Sequence, residues 1–326
     1  LSVADLGVPF DLSPCAAGDL EVLVAEELAQ LLTERSMAAH KGDFGHVLLV
    51  AGSRGKAGAA ILAARGAVRG GAGLVTVATV ESAWTAVAGG VPEAMSLPSA
   101  EDASGGLAFA ALAALLAAAG ERDVLAIGPG LGESAGTWRL VRSLALEAAD
   151  MPLVLDADGL NAFAGETAAR VGKGARGGQS GLRQLSKRRG STVLTPHPGE
   201  LARLLGCAVS AIEADRLAAV RRAAELSGAV VVLKGGRSLI GLPSGEVAIN
   251  TSGNPAMASG GSGDVLTGLV AARLAQGDDP ARAAQLAVHL HGLAGDLAVA
   301  AGVTPAVPAG TLVEYLSQAY DKLAKA

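Results

Sequence analysis

The chain has 326 residues, half of them apolar, 17% charged and only 2% aromatic. That length fits one large domain or two small ones, with a core built mostly from Ala, Val and Leu. A formal charge of −5 argues against a nucleic-acid surface, which needs a basic stripe, and no basic start followed by an apolar stretch marks a signal peptide.

In chain order, Leu1 to Pro14 reads as extended, and Glu21 to Glu34 as a short amphipathic helix or a linker. A chain opening on Leu1 is expected to be a piece of something longer. From Lys41 a strand–loop–helix rhythm sets in. Val47-Leu48-Leu49-Val50 is a continuous apolar run of the buried-strand type. It feeds Gly52-Ser53-Arg54-Gly55-Lys56-Ala57-Gly58 and then a small-residue helix from Ala59 to about Gly70. Leu74 to Ala78 is the next strand. The near-apolar run Leu107 to Ala119 is too short to span a bilayer. Val124 to Ile127 ends in Gly128-Pro129-Gly130-Leu131-Gly132. Leu153 to Leu155 runs into Asp156-Ala157-Asp158-Gly159-Leu160-Asn161, and Thr192 to Leu194 into Thr195-Pro196-His197-Pro198-Gly199-Glu200. Gly172 to Gly190, rich in Gly, Arg and Lys, reads as a solvated surface loop. Ala229 to Leu233 runs into Lys234-Gly235-Gly236-Arg237-Ser238. Ser238 to Leu242 and Glu246 to Asn250 read as a β-hairpin. Cys15 and Cys207 lack metal-ligand spacing and read as thiols of a cytoplasmic protein. His289 and His291, two apart, face different directions on a helix and form no metal pair.

Strands alternating with helices predict an α/β fold with a mostly parallel central sheet and helices on both faces. The polar, glycine-rich segments nearly all follow strands, which puts them on the ligand-binding rim of such a sheet.

The most informative run is Gly253-Asn254-Pro255-Ala256-Met257-Ala258-Ser259-Gly260-Gly261-Ser262-Gly263-Asp264. A helix is predicted from Val265 to Gln276. A glycine-rich loop entering a helix presents unpaired N–H groups and the positive end of the helix dipole, an anion site. Asp264 repels phosphate there, and suits proton abstraction or organising a metal beside it. Its alternative is a first-turn carboxylate stabilised by the dipole. Lys234 suits a phosphate as a point charge, or is a strand-end lysine. Asp156 and Asp158 line the same rim or close Asx-turns.

Together these segments resemble the NAD(P)H-hydrate dehydratases of the ribokinase-like superfamily, over nearly all of residues 41–326. His40-Lys41-Gly42-Asp43-Phe44-Gly45-His46-Val47 looks like the family's opening, and Asn254-Pro255 through Asp264 is the most diagnostic piece. Ser259 and Ser262 stand where threonine is usual, and Ala256 where glycine is usual, which puts a loop angle in question. Val3 to Pro9 looks like the last strand of the epimerase domain that precedes this dehydratase in bifunctional proteins. Residues 1–40 are therefore expected to be that domain's tail and linker, and 41–326 the dehydratase domain, a ribokinase-like three-layer sandwich.

The resemblance implies ADP-dependent, or ATP-dependent, dehydration of hydrated NADH or NADPH, with magnesium on the nucleotide. It implies Asp264 as the base and the N–H groups of Gly261, Ser262 and Gly263 around the phosphoryl group. It places Ala59, Gly130, His197 and Asp264 at the hydrated cofactor. Lys234, Gly235, Gly236, Arg237, Ser238 and Gly263 fall at the nucleotide. Glu200 resembles the superfamily's acidic residue that organises magnesium through water; by position it equally suits the first turn of a helix. A homo-oligomer, with a tetramer favoured, is also implied. The rival readings are a hydroxyethylthiazole- or hydroxymethylpyrimidine-type kinase of the same superfamily, and a non-catalytic nucleotide-binding module.

Overall fold

The structure, a computed structural model, describes residues 19–33, 35–164 and 179–326. It opens with β1 (Leu20–Val22), α1 (Ala25–Gln30), β2 (His46–Val50), α2 (Ala57–Arg69), β3 (Leu74–Val80), α3 (Glu81–Gly90), β4 (Met95–Ser99) and α4 (Leu112–Ala119). β5 (Val124–Ile127), α5 (Ala135–Glu147), β6 (Leu153–Leu155), α6 (Ala157–Ala164), α7 (Gln179–Leu185), β7 (Thr192–Leu194), α8 (Pro198–Leu205), α9 (Val209–Ala214) and α10 (Arg216–Ser227) follow. The chain then forms β8 (Val230–Leu233), β9 (Leu239–Gly241), β10 (Val247–Ile249), α11 (Ser262–Ala275), α12 (Pro280–Ala300) and α13 (Ala309–Leu323).

Among the described residues the strands make one ten-stranded sheet, ordered β1-β10-β9-β8-β7-β6-β5-β2-β3-β4. Neighbours run parallel except β8–β9 and β9–β10, the predicted hairpin and its junction. Alternate side chains feed opposite layers. Val47 and Leu49 join the core shared with α2, α11, α12 and α13. Leu48 and Val50 join the one under α4, α5, α6, α8 and α10. All four are fully buried, each stabilising by about 1.5–3 kcal/mol. A strand buried on both sides has no polar face, hence the continuous apolar run.

β2 lies between β5 and β3, so the sheet changes winding direction there. Such a switch point opens a crevice at the strand ends. The loops after β2 and β5 meet in it: Gly52 N–H donates to Pro129 O at 2.8 Å, and Ser53 Oγ to Gly130 O at 2.7 Å.

α2 and α11 pack backbone to backbone. A Cβ on Gly66 would run into the Val265 carbonyl, and one on Gly268 into that of Ala63. Gly261 faces Leu62, Gly66 faces Val265, and Gly70 faces Leu269. The two helices are therefore parallel, with both N-termini on the same rim.

Three expectations need correction. The helix predicted from Val265 begins at Ser262, so Asp264 sits in its first turn. Residues 179–185 form α7 instead of a solvated loop, with Leu182 and Leu185 buried; residues 172–178 lie outside the described residues. Two apolar side chains amid Gly, Arg and Lys were too sparse a signal. Glu21 to Glu34 contributes β1 as well as α1, and β1 pairs with β10 at the sheet edge. Ala256 has no positive φ, so alanine there is unstrained. Cys207 is a free, half-buried thiol, and Cys15 lies outside the described residues. No helix among the described residues is long and apolar enough to cross a membrane.

Candidate active site

The glycine loop works as its composition requires. Gly261 caps α11 with φ +91°, a left-handed conformation natural to glycine. Gly261 has no side chain to cap the helix, and Asp264 stands in the first turn, where the helix dipole also favours a carboxylate. The Ser262 N–H is partly engaged, donating to Ser259 O at 3.3 Å.

Under this turn lies a polar cluster. The Lys234 ammonium is 2.7 Å from Asp156 Oδ1 and 3.9 Å from Glu200 Oε2. Asp156 Oδ2 accepts from Thr267 Oγ1 at 2.6 Å. Gly263 closes over the cluster: a Cβ there would sit 3.2 Å from Lys234 Nζ. Burial would lower the Lys234 pKa, but Asp156 and Glu200 outweigh it and hold it above the usual lysine value.

Asp264 is pushed up to about 7, chiefly by burial and then by Asp156, while Lys234 pulls it down. Glu200 is also raised to about 7, mainly by burial. A carboxyl poised near neutrality suits a general base.

His197 and Glu200 cap α8 reciprocally. His197 Nδ1 accepts from Gly199 N–H at 3.0 Å and Glu200 N–H at 3.3 Å; Glu200 Oε2 accepts from His197 N–H at 2.8 Å. Burial, then Lys234, lowers the His197 pKa. Of the two roles open to Glu200 in sequence, the first-turn cap is thus visible. Among the described residues no three His, Cys, Asp or Glu gather into a metal cage. The carboxylates present suit a hydrated magnesium carried by nucleotide phosphates, the way this ion is usually held.

A cleft of about 830 Å³ opens beside the cluster, lined by His197, Lys234 to Ser238, the Asn250–Ala258 segment, Ser262, Gly263 and the α12 residues Val288, His291 and Gly292. Its polar end is Lys234 with Gly263; Met257, Leu266 and Val288 supply apolar wall. The predicted nucleotide residues Lys234, Gly235, Gly236, Arg237, Ser238 and Gly263 all line it. Gly261 and Asp264 stand beside it without lining it, and Ala59 and Gly130 lie apart from it. The latter two touch each other at the switch point, where a Cβ on Gly130, at φ +64°, would lie 2.9 Å from Ala59 Cβ. Asp158 accepts from Gly132 N–H at 2.8 Å there, and its charge also raises Asp264. Asp264 therefore responds to both compartments.

Three supporting side chains escaped the sequence reading. Asp296 accepts from Gly253 N–H and Asn254 Nδ2, both at 2.8 Å. Arg216 reaches the carbonyls of Leu233, Lys234 and Arg237. Thr267 pins Asp156. Only Thr267, a lone hydroxyl in an apolar helix stretch, carried a local signal.

A doubly covered, mostly parallel sheet with a glycine-rich helix start and a lone carboxylate beside a nucleotide-sized cleft defines a ribokinase-like enzyme. The family described as NAD(P)H-hydrate dehydratase matches residues 47–318. The chain belongs to this family of hydro-lyases. The bifunctional NAD(P)H-hydrate repair enzyme Nnr of Moorella thermoacetica is 42% identical over 316 residues, 97% of this chain and 57% of that protein. The chain spans about half the length of the bifunctional relatives it matches. The ADP-dependent (S)-NAD(P)H-hydrate dehydratase of Neisseria meningitidis is 36% identical over 85% of this chain and 86% of its own length. The crystal structure of the Bacillus subtilis ADP/ATP-dependent NAD(P)H-hydrate dehydratase, co-crystallised with ATP and Mg2+, superposes with a TM-score of 0.75 at 30% identity, covering 93% of this chain and 98% of that one.

Proposed function

We propose that this chain uses ADP, or ATP, to dehydrate the S form of hydrated NADH and NADPH back to the reduced cofactors. The observation that carries the reading is Asp264 in the first turn of α11, beside a Gly263 backbone that faces Lys234 at the end of the cleft. Hydroxide is a poor leaving group at neutral pH, and phosphorylation makes it a good one. Asp264 takes the proton of the C6 hydroxyl. The hydroxyl oxygen attacks the terminal phosphorus, and the bond to the nucleotide breaks, releasing AMP when ADP is the donor. Gly261, Ser262 and Gly263 N–H groups and Lys234 meet the charge on the transferring group. The ring nitrogen lone pair then expels phosphate, and loss of the C5 proton restores the reduced ring.

Ala59, Gly130 and His197 contact the hydrated cofactor, the two small residues letting its bulk approach the backbone. Gly235, Gly236, Arg237 and Ser238 hold the nucleotide. Glu200 would hold magnesium through water, at the nucleotide phosphates. When bound, that ion offsets phosphate charge. The chain functions as a homo-oligomer, a tetramer by family likeness, and residues 1–40 join it to an epimerase domain, with β1 added to this sheet's edge beside β10 and α1 packed against α13.

The test is recovery of the NADH absorbance band from hydrated NADH with magnesium and ADP or ATP, in wild type and Asp264→Asn. Recovery that needs nucleotide and fails in the variant supports the reading. A folded, nucleotide-binding protein that yields a stable phosphorylated alcohol instead is a kinase.

A further inference from the structure

We infer that Asp156 is a positioning residue of the phosphoryl-transfer step: it clamps the Lys234 ammonium against the first turn of α11, and Thr267 locks the clamp to that helix. The inference rests on the reading above, in which Lys234 and Gly263 receive the phosphoryl group.

The geometry is specific. Lysine is a point charge on a flexible stem, and its position is otherwise poorly defined. Here Asp156, 1% exposed, spends Oδ1 on Lys234 Nζ at 2.7 Å and Oδ2 on Thr267 Oγ1 at 2.6 Å. Gly263 O lies 3.2 Å from the same hydroxyl. A Cβ on Gly263 would lie 3.2 Å from Lys234 Nζ and 3.7 Å from Asp156 Oδ2. One carboxylate thus spans the end of β8 and the first two turns of α11, and aims the ammonium at the turn between.

The fold goes to some length to put it there. Ala157, the next residue, is the one non-glycine with positive φ among the described residues, at +48°. The Asp156 carbonyl occupies the space any side chain at Gly128 would need. Backbone held in a sparsely populated region gathers at functional sites. A buried carboxylate serving only as core filling is replaceable by apolar packing; one that fixes a catalytic charge is not.

The test compares Asp156→Asn, Lys234→Met, the double variant, Thr267→Val and Thr267→Ser in the full chain, each checked by thermal melting. For Asp156→Asn the Kd of ADP should stay within about threefold or tighten, because a negative charge near the phosphates is lost. Its kcat should fall by about 30-fold or more, as misplacing a reacting group does. The double variant should be no slower than Lys234→Met alone, since Asp156 acts through that lysine. Thr267→Val should lose part of the rate and Thr267→Ser regain it. With no nucleotide present, an amine-acylating reagent should modify Lys234 faster in Asp156→Asn by about fivefold, the freed stem swinging into the cleft. Unchanged kcat in Asp156→Asn, losses that multiply in the double variant, or unchanged acylation would each overturn the inference. A wild type that leaves hydrated NADH untouched would sink the functional reading instead, and the acylation rates would still decide whether the clamp exists.

Discussion

His291 Nε2 lies 2.9 Å from the carbonyl oxygen of Ser262, so α12 grips the residue that opens α11. Burial, the main cause, drives the His291 pKa down to about 4. The ring is neutral at pH 7 and donates from Nε2. His291→Leu should cost about 1–3 kcal/mol of stability through the lost bond and changed packing, read by urea unfolding, and His291→Gln should recover part. Because the folded pKa is depressed, the unfolded imidazole binds a proton that the folded one refuses. Wild type should therefore lose stability as pH falls from 6.5 toward 4, and His291→Leu should flatten that stretch of the curve.

Asp264 must be ionised to act as a base, and its pKa is raised to about 7, first by burial and then by Asp156. kcat/KM should rise with pH through about 7 and level above it. Asp264→Asn should lower kcat by about 10²–10⁴-fold, the usual worth of a general base, and its residual rate should lack that rise. A wild-type profile flat from pH 5 to 8 would argue against this base.

The same shift has the opposite sign for stability. Between its ordinary value near 4 and about 7, folded Asp264 holds a proton that the unfolded side chain has released. Its contribution is present at low pH and lost as pH rises through about 7. Free of ligands, Asp264→Asn should melt higher than wild type at pH 8 and alongside it at pH 4. Paired thermal scans at the two pH values decide this.

Gly263→Ala separates binding from folding. The added methyl meets Lys234 Nζ at 3.2 Å and Asp156 Oδ2 at 3.7 Å, a tight but tolerable fit, and alanine favours the helix by up to about 1 kcal/mol. The melting temperature should hold or rise. In the proposed reaction the methyl stands where the phosphoryl group approaches the backbone, so ADP binding should weaken by about tenfold or more, measured by titration calorimetry.

Much of this arrangement was legible because local chemistry forces it. Val47 to Val50 and Val124 to Ile127 are buried on both faces, so their apolar runs had no other reading. The Gly253–Asp264 run carried its site in consecutive residues. β4 was not legible: it holds Pro98 and Met95, both exposed, with Ser96 and Leu97 half-exposed, and an edge strand tolerates this. Asp296 and Arg216 were invisible for another reason. Each acts on a loop it meets only after folding, Asp296 across a gap of 43 residues to Gly253, and nothing in its own neighbourhood distinguishes it from a helix surface charge.

The glycine contacts between α2 and α11 join the two loops proposed to meet the hydrated cofactor and the phosphate into one block. Where Gly66 meets Val265 and Gly268 meets Ala63 no side chain separates the helices, so there is little for them to slide on. On the proposed reaction the two reactants would be aligned by a frame that exists before either arrives, with little binding energy diverted to assembling it. A methyl at Gly66 or Gly268 would press on the Val265 or Ala63 carbonyl and wedge that frame open.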